Sequence, residues 1–144
     1  MVKHKDGSVE VVHTFGWYLR KYIADTRAKG ATPIILTVTP RNIWTNGKPE
    51  EGLGHYRQWA AEVARQEHVE LVDISRIVSE EYARLGQKKV AEFFPLDHTH
   101  TDLQGARIVA HWTLAGLKGL PHDPLGKDLS AKGRAVPAVS PKYK

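Results

Sequence analysis

The stretch Pro33-Ile34-Ile35-Leu36-Thr37-Val38 (PIILTV) decides the fold of this 144-residue chain. Its residues are almost all apolar or β-branched and do not alternate with polar ones, which is typical of a strand buried on both faces in a parallel sheet. A second run of this kind, residues 69–74 (VELVDI), follows further along the chain. We expect these two runs to be strands that pair in parallel.

Helical patterns flank both strands. Apolar side chains recur at helical spacing in residues 14–29, 56–63, 77–85 and 103–117. Thr14 is expected to cap the first helix. Helices that alternate with buried strands are typical of an α/β fold, in which right-handed crossovers join parallel strands. Because two strands make too small a sheet, the sequence predicts an incomplete α/β domain.

The composition excludes several classes of protein. Hydrophobic residues (41%) and charged residues (26%) occur at the frequencies of a globular protein. No apolar run reaches the roughly 20 residues of a membrane-spanning helix, so we expect no membrane partner. The chain has no cysteine, which excludes disulfides, thiolate metal sites and cysteine nucleophiles. The compartment in which the protein works is left open.

The positive charge lies in the C-terminal segment. Residues 118–144 carry +4 of the net charge of +5, so the rest of the chain is nearly neutral and we expect no nucleic-acid partner. We divide the chain into a body, residues 1–120, and a basic, proline- and glycine-containing tail, residues 121–144, that lies on the surface or is partly disordered. Residues 40–52 are expected to form a loop, and residues 1–10 have no periodic pattern.

The segment of greatest chemical interest is residues 95–106 (PLDHTHTDLQGA). Thr101 with Gln104 three residues later matches a capping box, which predicts Thr101 as the N-cap of the last helix and Asp102 in its first turn. Asp97 and the histidines that follow it precede this helix, in a turn where side chains can converge.

Three interpretations of this turn compete. It is a polar loop in water; or His98 and His100 are metal ligands, although the sequence offers no clear third ligand; or a carboxylate and an imidazole form an acid–base pair. In the third case Asp97 orients the ring of His100, and the opposite ring nitrogen takes a proton from a serine hydroxyl.

The same residues resemble a known family. In the SGNH (GDSL-type) hydrolases the last sequence block carries Asp-x-x-His, which supplies two members of a Ser-His-Asp triad. Residues 94–101 (FPLDHTHT) with Gly105-Ala106 are similar to its rhamnogalacturonan acetylesterase branch. The upstream helix, the strand that ends at Thr39-Pro40 and residues 41–44 (RNIW) agree with that branch, so the resemblance covers about residues 10–120.

The resemblance implies a three-layer α/β/α fold with a parallel sheet, flavodoxin-like and here incomplete. It implies that His100 is the general base, that Asp97 orients it, that His98 is outside the triad, and that neither metal nor cofactor takes part. The substrate would be an acetylated polysaccharide or oligosaccharide.

Arg41, Asn42 and Trp44 follow a strand end, where α/β sites form. They could touch a sugar, although a plain loop is the simpler interpretation.

The family's nucleophile is missing from these residues. No Gly-Asp-Ser segment occurs, and neither the glycine block nor the Gly-x-Asn-Asp block that provides oxyanion donors is present. Ser8, in Asp6-Gly7-Ser8, comes nearest, but its order is reversed and no strand precedes it. We therefore expect the C-terminal half of an esterase domain, inactive alone, whose partner is the missing N-terminal half. The alternatives are a non-catalytic remnant that binds carbohydrate or protein, and a metal-dependent hydrolase that uses His98 and His100.

Overall fold

A computed structural model of the chain describes residues 1–52 and 54–143. In this part of the chain, three two-stranded sheets and six α-helices are present. The strands are β1 (Val2–Lys3), β2 (Val9–Glu10), β3 (Ile34–Leu36), β4 (Trp44–Thr45), β5 (Lys48–Pro49) and β6 (Glu70–Val72), and the helices are α1 (Phe15–Ala28), α2 (Tyr56–Glu67), α3 (Ile74–Leu85), α4 (Gln87–Ala91), α5 (Leu103–Lys118) and α6 (Ala131–Ala135). Thr14 caps α1 as predicted, because its side chain accepts a hydrogen bond from the Trp17 N–H.

The two predicted strands pair in parallel, which confirms the central expectation. β3 and β6 align with Ile35 opposite Leu71. The second strand is shorter than predicted, because the side chain of Asp73 accepts a hydrogen bond from the backbone N–H of Arg76 and starts α3 there. Ile74 is therefore the first residue of a helix and not the last of a strand, which corrects the sequence-based boundary.

Two hydrophobic cores use alternate residues of this strand pair. Ile35 and Leu71 belong to a core formed with α1 and α2, whereas Ile34 and Val72 belong to a core formed with α3 and α5. Both faces of the strands are thus covered by helices, which explains why the strand sequences are apolar without alternation. The mixture of helix and strand agrees with the predicted α/β class. A complete three-layer domain around a larger parallel sheet stays a prediction.

The predicted loop at residues 40–52 contains a short hairpin that the sequence analysis missed. β4 and β5 pair in antiparallel fashion around Asn46 and Gly47, whose φ angles are +52° and +74°. Positive φ at both central residues is the requirement of a type I′ turn, for which Asn-Gly is the preferred pair. The signal was present in the sequence, and the strands that flank it are only two residues long.

The predicted tail packs against the body over part of its length. The Val139 N–H donates to the carbonyl of Ala115 in α5, and the Asp73 N–H donates to the carbonyl of Pro141. Arg76 donates to the carbonyls of Ser140 and Lys142. Residues 139–142 therefore cover the start of α3.

No helix among the described residues has both the length and the apolar character needed to cross a membrane.

Candidate active site

The turn between α4 and α5 brings Asp97 and His100 into direct contact. Oδ2 of Asp97 lies 2.7 Å from Nδ1 of His100, which confirms the predicted hydrogen bond between the two side chains. Oδ1 of Asp97 accepts two backbone hydrogen bonds, from the N–H of Thr99 at 2.6 Å and from that of His100 at 2.7 Å. One carboxylate therefore both closes the turn and fixes the direction of the imidazole ring.

This contact fixes the charge of Asp97 and the tautomer of His100. The hydrogen bond from the His100 side chain, followed by those from the backbone N–H groups of His100 and Thr99, holds the pKa of Asp97 well below its usual range. Asp97 is thus a carboxylate at neutral pH. When Nδ1–H of His100 donates to it, the other ring nitrogen, Nε2, is left as a proton acceptor. The His100 side chain is 77% exposed, so a reacting group can approach it.

The start of α5 holds this turn in place from the other side. The helix N-cap is Asp102, whose Oδ1 accepts a hydrogen bond from the Gly105 N–H at 2.8 Å, so the prediction of a capping box at Thr101 was wrong. A side chain at Gly105 would come within 3 Å of Cβ atoms of Thr101 and Phe93. The glycine of the motif is therefore needed because the turn packs tightly on the first turn of the helix.

The loop that follows β3 contacts the same turn. The backbone N–H of Asn42 donates to the carbonyl of His98 at 2.8 Å, and Nε1 of Trp44 donates to Oδ1 of Asn42 at 2.8 Å. Trp44 itself packs against the larger hydrophobic core. Residues 41–44 are therefore anchored beside the Asp97–His100 pair, at the end of a parallel strand, as sites in α/β proteins are.

Two curated proteins are similar to this chain in sequence. No family model matches the chain. The chain is 31% identical over 105 residues to a rhamnogalacturonan acetylesterase of Emericella nidulans, covering 73% of this chain and 43% of that protein. It is also 31% identical over 115 residues to the probable rhamnogalacturonan acetylesterase YesY of Bacillus subtilis, covering 75% of this chain and 53% of the relative.

The chain is related to the rhamnogalacturonan acetylesterases. This confirms the relationship predicted from the Asp97–His100 segment. The chain spans about half the length of these curated relatives.

The hydroxyls of the two serines in α3 are engaged elsewhere. Ser75 donates to the carbonyl of Val38 and Ser79 donates to the carbonyl of Glu50, so both serve to hold α3 against the loop after β3. Within residues 1–52 and 54–143, no serine hydroxyl is hydrogen-bonded to His100. The same residues contain no group of three or more His, Asp and Glu side chains placed to hold a metal ion.

An ion pair behind the site was missed by the sequence analysis. Asp73, which is fully buried at the end of β6, accepts hydrogen bonds from Arg57 Nη2 at 2.6 Å and Nε at 3.0 Å, and from the Thr37 hydroxyl at 3.1 Å. The hydrogen bond to Asp73 raises the pKa of Arg57. The sequence signal was an aspartate directly after a buried strand, although the apolar run 69–74 predicts it inside the strand.

Proposed function

We propose that this chain carries the general-base half of a serine esterase that removes acetyl groups from a polysaccharide of the rhamnogalacturonan type. The 2.7 Å contact between Asp97 and His100 carries this proposal. It is supported by the relatives, which are named rhamnogalacturonan acetylesterases. His100 is the base, Asp97 is its orienting partner, and His98 contributes its backbone carbonyl to the loop contact with Asn42.

His100 transfers protons in both halves of the reaction. Nε2 takes the proton of a serine hydroxyl while the serine oxygen attacks the acetyl carbonyl carbon. The resulting tetrahedral adduct expels the sugar oxygen, which receives the proton from His100, and an acetyl-serine remains. Water, which gives a proton to Nε2, then attacks the acetyl carbon; the bond to the serine oxygen breaks, that oxygen takes the proton back from His100, and acetate leaves. Asp97 stabilises the imidazolium form of His100 in each step and stays ionised because its pKa is low.

The serine and the oxyanion donors come, in this proposal, from a segment beyond these 144 residues. No Gly-Asp-Ser occurs in the sequence, and β3 pairs only with β6 within the described part of the chain. A further parallel strand on the open edge of β3 would bring its carboxyl end beside residues 41–44 and hence beside the His100 turn. That is where a nucleophile would have to stand.

Hydrolysis of p-nitrophenyl acetate by the purified chain tests this function. We expect no saturable turnover by the chain alone, because the nucleophile and its base act as a unit whose disruption costs about a million-fold in rate. Co-expression with the upstream polypeptide that carries Gly-Asp-Ser is expected to give saturable turnover, which His100→Ala abolishes. His111→Ala, which alters an exposed histidine of α5, is the matched control and is expected to keep the activity.

Two results would contradict the proposal. The first is saturable turnover by the chain alone that depends on His100 and leaves an acetyl group on one of its own serines. The second is an active co-expressed complex whose turnover is unchanged by His100→Ala. Slow, non-saturable cleavage of this activated ester is the background expected from any exposed imidazole and decides neither.

A further inference from the structure

A groove between α1 and α2 is lined in part by three aromatic rings. Its volume is about 510 Å³, and we call it the aromatic groove after Phe15, Tyr56 and Trp59. Ring centroids of Phe15 and Tyr56 lie 5.2 Å apart, and those of Tyr56 and Trp59 lie 5.3 Å apart, with the planes nearly perpendicular in both pairs. Tyr56 is 45% exposed and Trp59 is 42% exposed, so their rings are available to a ligand.

The aromatic groove opens at the same end of the sheet as the His100 turn, where the parallel strands have their carboxyl ends. Arg57, in the first turn of α2, is hydrogen-bonded to Asp73, which directly follows the carboxyl end of β6. Asn42, which follows the carboxyl end of β3, is hydrogen-bonded to His98. The start of α2 and the His100 turn therefore lie along the carboxyl ends of the parallel pair, and the contact between Phe15 and Tyr56 places the start of α1 there too.

The chemistry of the groove fits a sugar ring. One face of a pyranose is a layer of C–H groups, which packs on the electron-rich face of an aromatic ring, whereas its hydroxyl groups project from the rim. The groove supplies both kinds of surface, since two polar side chains, Arg20 and Glu62, line it beside the aromatic rings. Both are held in place, because Arg20 donates to Glu67 and Gln66, and Glu62 accepts from Gln66. A concave pocket that combines apolar and aromatic side chains with a few polar groups is also the usual form of a small-ligand site.

We propose that the aromatic groove is a carbohydrate-binding subsite, in which a sugar residue of the polysaccharide packs on Trp59 and Tyr56 while the ester-bearing residue lies at His100. The identity of the polymer rests on the proposed function, whereas the recognition of a sugar ring rests on the groove itself. A substrate held at both places lies across the carboxyl ends of the parallel strands. The groove therefore contributes to affinity and takes no part in the bond-breaking steps.

Calorimetric titration of the full 144-residue chain with deacetylated rhamnogalacturonan oligosaccharides tests the subsite. We expect saturable binding that Trp59→Ala weakens by at least tenfold and that Trp59→Phe, which keeps an aromatic face, weakens much less. Trp17→Ala is the matched control. Trp17 has the same exposure of 42% but stacks on His13 at 3.7 Å and does not line the groove, so its removal is expected to leave affinity unchanged.

The outcomes separate this inference from the proposed function. The ligand carries no acetyl group, so its binding is measured without turnover, and the esterase assay tests His100 separately. Trp59-dependent binding together with failure of the esterase assay would leave the subsite standing and remove the base assignment. No detectable binding by a folded chain, binding unchanged by Trp59→Ala, or an equal loss in Trp17→Ala would each overturn the subsite while leaving the esterase assay to judge His100.

Discussion

The Asp97 carboxylate has two structural tasks in a turn of only four residues. Oδ1 satisfies two backbone N–H groups and Oδ2 binds the His100 ring, so the backbone of the turn and the direction of the base depend on the same side chain. Carboxylates that accept several hydrogen bonds remain ionised to low pH. Asp97 is therefore ionised, and able to bind the His100 ring, at neutral and mildly acidic pH.

Removal of the His100 ring is expected to raise the pKa of Asp97. The side-chain hydrogen bond from His100 is the largest cause of the depressed value, whereas the backbone N–H bonds persist in His100→Ala, so the pKa should move toward its usual range without reaching it. The carboxyl ¹³C chemical shift of Asp97 against pH measures the change. His98→Ala is the control, and an Asp97 pKa equal in wild type and His100→Ala would contradict the contact.

The direction of the Asp97 pKa shift determines how this residue changes the stability of the fold with pH. Because the pKa of Asp97 is lower in the folded state than in the unfolded chain, its contacts stabilise the fold above the ordinary carboxyl pKa. This stabilisation is lost as the pH falls through the folded-state value. The turn is therefore expected to lose its order in acid, and no loss from this group is expected between neutral pH and mildly acidic pH.

At the scale of secondary structure, the pair of Arg57 and Asp73 joins helix α2 to the strand pair. Asp73 is completely buried and the Arg57 side chain is only 13% exposed, and the ring of Tyr143 lies 4.5 Å from the guanidinium carbon. Glu51 forms a second ion pair with Arg57 at 2.6 Å. The start of α2, the end of β6 and the C-terminal segment thus share one guanidinium group.

Arg57→Leu is expected to lower the free energy of unfolding by about 3–5 kcal/mol, because it leaves the buried Asp73 charge without its main partner. Urea denaturation followed by circular dichroism measures the loss. Arg65→Leu removes an exposed arginine from the same helix and is expected to change stability by no more than about 0.5 kcal/mol. A similar small change in Arg57→Leu would show that the network does not hold α2 to the strands.

At the scale of the whole molecule, the second edge of β3 is the unusual feature. Among the described residues, β3 pairs with β6 alone, and apolar side chains beside it reach water, including Tyr22 at 67% and Leu36 at 42% exposure. Tyr22 and Leu36 both line a groove of about 350 Å³ between α1 and this strand. Unpaired strand edges with apolar neighbours favour association with another chain.

The isolated chain is therefore expected to self-associate as its concentration rises. Light scattering after size-exclusion chromatography measures the average mass, and Leu36→Lys is expected to shift it toward the monomer because a charge at the edge opposes pairing. Leu125→Lys is the matched control, since Leu125 has a similar exposure of 37% in the C-terminal segment. A chain that stays monomeric at all concentrations, with cooperative unfolding, would contradict the incomplete-domain proposal.

The sequence predicted features that depend on local patterns. The parallel pairing of PIILTV, the Thr14 cap and the contact between Asp97 and His100 all follow from periodicity or from short spacing. Prediction from the sequence failed where a tertiary contact competes with a local one. Thr101 matched a capping pattern, but Asp102 took the cap position, since its N–H is already fixed by the Phe93 carbonyl and its side chain reaches Gly105.

Long-range partners could not be predicted from one sequence. The bond between Arg57 and Asp73 joins residues 16 positions apart, and that between Asn42 and His98 joins two loops, so neither has a periodic signal. The packing of the C-terminal segment was hidden by its composition, because prolines and lysines predict exposure. The short hairpin at Asn46-Gly47 was a different kind of error, since its turn signal was visible and was assigned to a loop.

The contact of Arg76 with the C-terminal segment has a consequence for the order of events on the ribosome. Arg76 is translated 64 residues before Ser140, whose carbonyl its guanidinium binds in the finished fold. Until residues 140–142 emerge, the first turn of α3 has no cover, and burying Arg76 would leave hydrogen-bond donors unsatisfied. A chain whose synthesis has not yet reached Ser140 thus leaves the Arg76 guanidinium to water and the first turn of α3 uncovered, so this part of the fold closes last.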